Sequence, residues 1–173
     1  GEGGGGEGCE GGGGGEGGEG GEGSELQVVC GDARALLLLS PPFEYVHLDP
    51  FGSCTPHLDA FASRAPHGGV LSLTATDTAA LYAHYPQVAR RGYSAVLERK
   101  DPNWREAGVR ALCAALATAA ARHGRGIEVL HAAAAAHFVH IVARLERGAK
   151  AADRAVARIA TLSTPDGTVL GPL

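Results

Sequence analysis

Methionine is absent from the whole chain, position 1 included, and the sequence therefore reads as a fragment or an incomplete gene product. Aromatic residues are sparse at 5%, with one tryptophan and four phenylalanines. Cysteine is limited to Cys9, Cys30, Cys54 and Cys113, with no paired spacing that would imply a disulfide framework or a structural zinc site. A reducing, intracellular location is the default for such usage. There is no basic-then-apolar leader and no apolar run long enough to span a bilayer, so neither export nor a membrane is expected. A strong basic excess is missing too: the net charge is -4. Six glutamates in residues 1–23 exceed that figure, which leaves +2 on the remaining 150 residues. A mildly basic body is compatible with a nucleic-acid partner and does not by itself point to one.

Residues 1–23 hold sixteen glycines, six glutamates and Cys9. Nothing there can form a core, so this is a low-complexity, disordered segment. A phosphate-cradling loop needs a strand before it and a helix after it, and the tract has neither. Residues 24–162 carry the foldable pattern, and 163–173 have the proline and glycine of a loose tail.

Within the foldable part, Leu26–Cys30 predicts a strand, and Asp32 suits the N-cap of a helix over Ala33–Leu39. Ser40-Pro41-Pro42 stops that helix, and the largely apolar Phe43–Leu48 reads as a central strand. His47 inside it reads as a satisfied residue. The strand runs into Asp49-Pro50-Phe51-Gly52-Ser53, which sets a carboxylate and a flat ring at a strand end, where open α/β sheets bind ligands. Cys54 and His57 are three apart but lack the second pair a metal needs. Pro56 opens a helix through Ala62, and Val70–Thr74 is the next strand. If that strand lies parallel to the first, Thr76 and Asp77 line the same pocket as Asp49, although Asp77 also suits a helix cap.

Residues 82–104 read as irregular. Tyr82, His84, Tyr85, Arg90, Arg91, Tyr93, Arg99, Lys100 and Trp104 interleave rings and cations there, a mix suited to phosphate contact and base stacking and equally to a solvated loop. Arg105–Arg122 has the apolar spacing of a long helix, with Glu106 and Arg110 as an ion pair. Ile127–Leu130 and Phe138–Leu145 read as two closing strands around the alanines 132–136, whose propensity is helical. Period two puts His137 and His140 on opposite sides. Ala149–Leu162 reads as a short amphipathic helix or tail.

Methylating the exocyclic amine of a base takes an oxygen to hold the amine hydrogens and a ring to lie against the heterocycle. Asp49 and Phe51 supply that pair. Their stretch, Asp49-Pro50-Phe51-Gly52-Ser53, resembles the fourth motif of amino-directed, S-adenosylmethionine-dependent methyltransferases, in the form typical of tRNA (guanine(26)-N(2))-dimethyltransferases. Leu58-Asp59-Ala60, Gly68–Leu71, Leu73–Asp77, Glu106–Arg110, Arg122–Leu130 and His137–Leu145 match the same family in order and spacing. The resemblance covers about residues 25–155, the second half of a catalytic domain.

The resemblance implies an α/β fold: part of a Rossmann-like class I methyltransferase sheet with flanking helices and a C-terminal antiparallel strand pair. It implies S-adenosyl-L-methionine as cofactor, tRNA as partner, and no metal in this segment. Asp49, Pro50 and Phe51 take the catalytic positions, Asp32 and Ala33 the adenine-gripping ones, and Gly52, Thr76 and Asp77 the substrate side. The family's first strand, glycine turn and ribose-binding acid belong before Leu26, where this sequence has Gly and Glu with only Cys9 and Ser24 besides. A truncated sheet with an unpaired edge is the expectation. A non-catalytic RNA-binding descendant and an amino-methyltransferase for another substrate stay open as alternatives.

Overall fold

The computed structural model describes residues 25–99 and 101–159, together with Leu162–Ser163 and Val169–Leu170, which pair antiparallel. The Gly/Glu segment and most of the expected tail lie outside the described residues. Leu26–Cys30 is not the expected strand: it has no regular structure, and Leu26 and Val28 are exposed. A strand persists only where its N–H and C=O groups meet a partner. Among the described residues no ladder includes this run.

The compact body starts at Gly31. Asp32 caps α1, Ala33–Leu39, its Oδ1 accepting the Arg34 N–H at 2.8 Å. After Ser40 the prolines cannot continue the helix, and the chain enters β1, Tyr45–Leu48. α2, Thr55–Arg64, has Pro56 in its first turn, where a missing N–H costs no intrahelical bond. β2, Val70–Ala75, runs parallel to β1 in the register Tyr45↔Val70 to Leu48↔Leu73.

α3, Thr78–Leu81, and α4, Pro86–Tyr93, follow. α4 occupies ground expected to be irregular. Pro86 preorganises its first turn, Ala89 and Tyr93 are buried four residues apart on one side, and Ser94 at φ 55° ends it. α5 is Trp104–Arg122, and Gly108 on it lets the Leu81 carbonyl approach so closely that a Cβ would lie 2.6 Å from that oxygen. β3, Arg125–Ala134, and β4, Val139–Arg147, form a hairpin. Ala132–Ala134 stay in β3, because ladder pairing outweighs their helix propensity. α6, Ala149–Ala157, is shorter than its sequence pattern.

The sheet order is β1-β2-β4-β3, with β4 antiparallel to both of its neighbours. β1 is therefore an edge among the described residues rather than the central strand expected, and of its four residues only Leu48 is buried. Apolar content alone does not tell an edge from a centre when the outer neighbour is not in view. Leu71, Leu73 and Ala75 of β2 and Val139, Ile141, Ala143 and Leu145 of β4 cluster with Leu58 and Phe61 of α2 and Leu112 and Leu116 of α5. The intervening residues, including Ser72, Thr74 and His140, point to the other side of the pleat. Among the described residues no helix is long and apolar enough to cross a membrane.

Candidate active site at the end of β1

Buried Leu48 anchors the last residue of β1, and the next one, Asp49, stands exposed at the strand end. Pro50 is half-buried, and the Phe51 side chain is wholly in solvent at 106% relative exposure. A phenyl ring placed there gives up burial worth about 2 kcal/mol. Gly52 sits at φ 86°, a conformation that favours glycine, and it makes the turn.

The parallel register brings the end of β2 beside this turn, although Thr76 and Asp77 are not among the residues that line the cavity next to Asp49. The Gly52 N–H donates to Thr76 Oγ1 at 2.8 Å, and the Thr76 N–H donates to the Gly52 carbonyl at 3.1 Å. Asp77 does not cap α3 with its side chain. Its Oδ1 instead accepts the Tyr93 hydroxyl at 2.6 Å, and Ser53 Oγ lies 3.1 Å from that hydroxyl. Tyr93, one of the rings assigned to nucleic-acid contact, is thus a buried structural residue; burial above all raises its pKa. Next to it Cys54 is fully buried, and burial followed by the Asp77 charge pushes its thiol up to about 12.

A cavity of about 460 Å³ opens beside Asp49, lined also by Thr74, His131, Ala133, Phe138 and His140. His140 Nδ1 lies 3.1 Å from Thr74 Oγ1, and its ring centroid is 6.1 Å from that of His131. Burial, then His131 and His47, lower the His140 pKa, which favours neutral imidazole. Sequence periodicity separated His140 from His137 but missed its approach to His131. A register shift between Val129 and His131 sets that approach. His47 is satisfied by Ser72 Oγ at 2.9 Å from its Nδ1.

Tyr82 also leaves the set of RNA-facing rings. It is buried, its hydroxyl bonds the carbonyls of Ala135 and Phe138 at the β3–β4 turn, and the Trp104 ring meets it edge-on at 4.5 Å. His84, Tyr85, Arg90, Arg91 and Arg99 remain exposed. Asp32 is exposed as well. Its two oxygens take three hydrogen bonds from Arg34, which together hold its carboxyl down at about 2.

A family model described as N2,N2-dimethylguanosine tRNA methyltransferase matches residues 21–166. The chain belongs to that family. Among N2,N2-dimethylguanosine tRNA methyltransferase relatives, the mouse tRNA (guanine(27)-N(2))-dimethyltransferase is 40% identical over 135 residues, which cover 78% of this chain and 18% of that protein. The tRNA (guanine(26)-N(2))-dimethyltransferase of Methanopyrus kandleri is 37% identical over 134 residues, 76% of this chain and 35% of its own length. A solved structure, Trm1 from Pyrococcus horikoshii in complex with S-adenosyl-L-methionine, superposes with a TM-score of 0.76 at 30% identity. That match covers 82% of this chain and 42% of the Trm1 chain, so this chain corresponds to part of each relative. The class I methyltransferase fold implied by the resemblance is the fold observed.

Proposed function

We propose that this chain carries the base-binding part of an enzyme that methylates the exocyclic N2 amine of a guanine in tRNA, using S-adenosyl-L-methionine. The observation that carries the reading is the pairing of an exposed carboxylate, Asp49, with a solvent-facing ring, Phe51, at a strand end in a chain of this family. Phe51 offers a face for a guanine drawn out of the RNA stack. The Asp49 carboxylate and the Pro50 carbonyl accept the amine hydrogens and aim the nitrogen lone pair at the methyl donor. As nitrogen becomes tetrahedral and positively charged, Asp49 stabilises that charge and accepts the proton released. The cofactor, when bound, supplies a methyl group on a sulfonium centre.

Asp32 and Ala33 are the residues that would hold the cofactor's adenine. A carboxylate has about four lone-pair sites. Arg34 takes three at Asp32, and about half of the Asp32 side chain is open to solvent, so an adenine amine fits beside the cap. Five residues separate α1 from β1, a short connection between consecutive elements. Gly52, Thr76 and Asp77 shape the substrate side by holding the turn.

The test is nucleoside analysis of a tRNA transcript incubated with the full-length gene product and S-adenosyl-L-methionine. N2-methylated guanosine is the expected product. Methyl groups on another base, or tRNA bound without any methylation, would overturn the reading.

A further inference from the structure

We propose that Tyr93 is a positioning residue for the turn that carries Asp49 and Phe51; this role rests on the reading above. The turn is held at two points, one just after β2 and one at the end of α4. Thr76 holds Gly52 through its side chain and its backbone N–H. Tyr93 holds Ser53, through a set of hydrogen bonds whose direction is determined by chemistry. The Asp77 carboxylate only accepts, so the single Tyr93 hydrogen points to it across 2.6 Å. The Tyr93 oxygen then accepts from Ser53 Oγ at 3.1 Å, and Ser53, its own hydrogen committed, accepts from Thr55 Oγ1 at 3.1 Å and the Thr55 N–H at 3.4 Å. The order is Thr55 to Ser53 to Tyr93 to Asp77, and aligned hydroxyls of this kind polarise one another.

Three segments therefore meet at one phenol: the turn before α2, the loop after β2, and the last residue of α4. Burial of the ring fixes the phenol, and the phenol fixes the residue two places after Phe51. Gly52 between them has no side chain of its own to resist rotation. Loss of the hydroxyl leaves Ser53 without its acceptor and Asp77 without its donor, while Thr76 still holds Gly52. The expected result is an intact fold with a loosened Phe51, and displacements of about 1 Å at such a site cost up to about a hundredfold in rate.

The experiment is single-turnover methyl transfer to tRNA by the full-length protein, comparing wild type, Tyr93→Phe, Ser53→Ala, Phe51→Ala and the doubles. Tyr93→Phe should slow transfer by about tenfold or more while cofactor and tRNA dissociation constants stay within about twofold. Ser53→Ala should do the same, and the two together should be no slower than either, because they break one relay. In a Phe51→Ala background Tyr93→Phe should add nothing. Losses that multiply in that background, or a wild-type rate in Tyr93→Phe, would overturn the positioning role and leave the methyltransferase reading standing. Should Tyr93→Phe fail to fold, Ser53→Ala with its Phe51→Ala double decides the matter on the same criteria. A wild-type protein that methylates no tRNA would remove both.

Discussion

Phe51 and Gly52 are adjacent, yet their side chains bear on different quantities. Phe51 is wholly exposed, so Phe51→Ala removes no buried area, and its thermal midpoint should match wild type while methyl transfer slows to a measurable residual rate. Gly52→Ala should behave the opposite way in stability. A Cβ there meets nothing within 4 Å, so the cost is conformational, about 1 kcal/mol or more for an alanine at φ 86°. Thermal melts of both variants beside their rates separate the two effects; a fall in the Phe51→Ala midpoint would mean that the ring packs on something. At this scale the sequence was readable where chemistry is local: the Asp49–Gly52 turn follows β1, and Thr76 follows β2 and bonds that turn. It was not readable for Tyr93, Tyr82 and Trp104, whose surroundings come from residues distant in sequence.

Between elements, α2 and the end of α5 are joined by Asp59, whose carboxylate takes a bidentate contact from Arg122, at 2.7 and 3.1 Å, and a third from His123 at 3.2 Å. Arg122 above all, opposed by slight burial, holds the Asp59 pKa below its ordinary value. A depressed carboxylate pKa stabilises the fold above the unfolded value of about 3.9, and that contribution is lost as pH falls through the lower folded value. The pair is half exposed, so its worth is at most about 1 kcal/mol. Asp59→Asn should therefore lower the urea midpoint slightly at pH 7, and the difference should shrink steadily as the pH is lowered beneath the ordinary carboxylate range. A difference unchanged over that descent would assign the effect to packing. Helices with long periodic faces, such as α5, were legible in the sequence. Leu26–Cys30 was not correctly read, and β1 was read rightly as a strand but as central where it is an edge among the described residues, because these states depend on partners rather than on apolar content. The brevity of α4 hid it among tyrosines and arginines.

Across the whole molecule, a parallel pair, β1 and β2, is followed by a hairpin whose second strand inserts beside β2. This arrangement sets the ends of β1 and β2 together and brings the β3–β4 turn, tethered by Tyr82, toward the same cavity. The ordered blocks from Asp49 to Leu145 made the family legible before any coordinates. The histidine-lined wall of the cavity was not, since a register shift in β3 creates it. The account turns on Asp49 as the group that holds the amine and takes its proton. Single-turnover methyl transfer by Asp49→Asn, in the full-length protein with cofactor and tRNA both bound, tests this most directly. An amide keeps the shape and loses the charge, so transfer should fall by at least about a hundredfold with binding unchanged. Transfer at the wild-type rate would contradict the account.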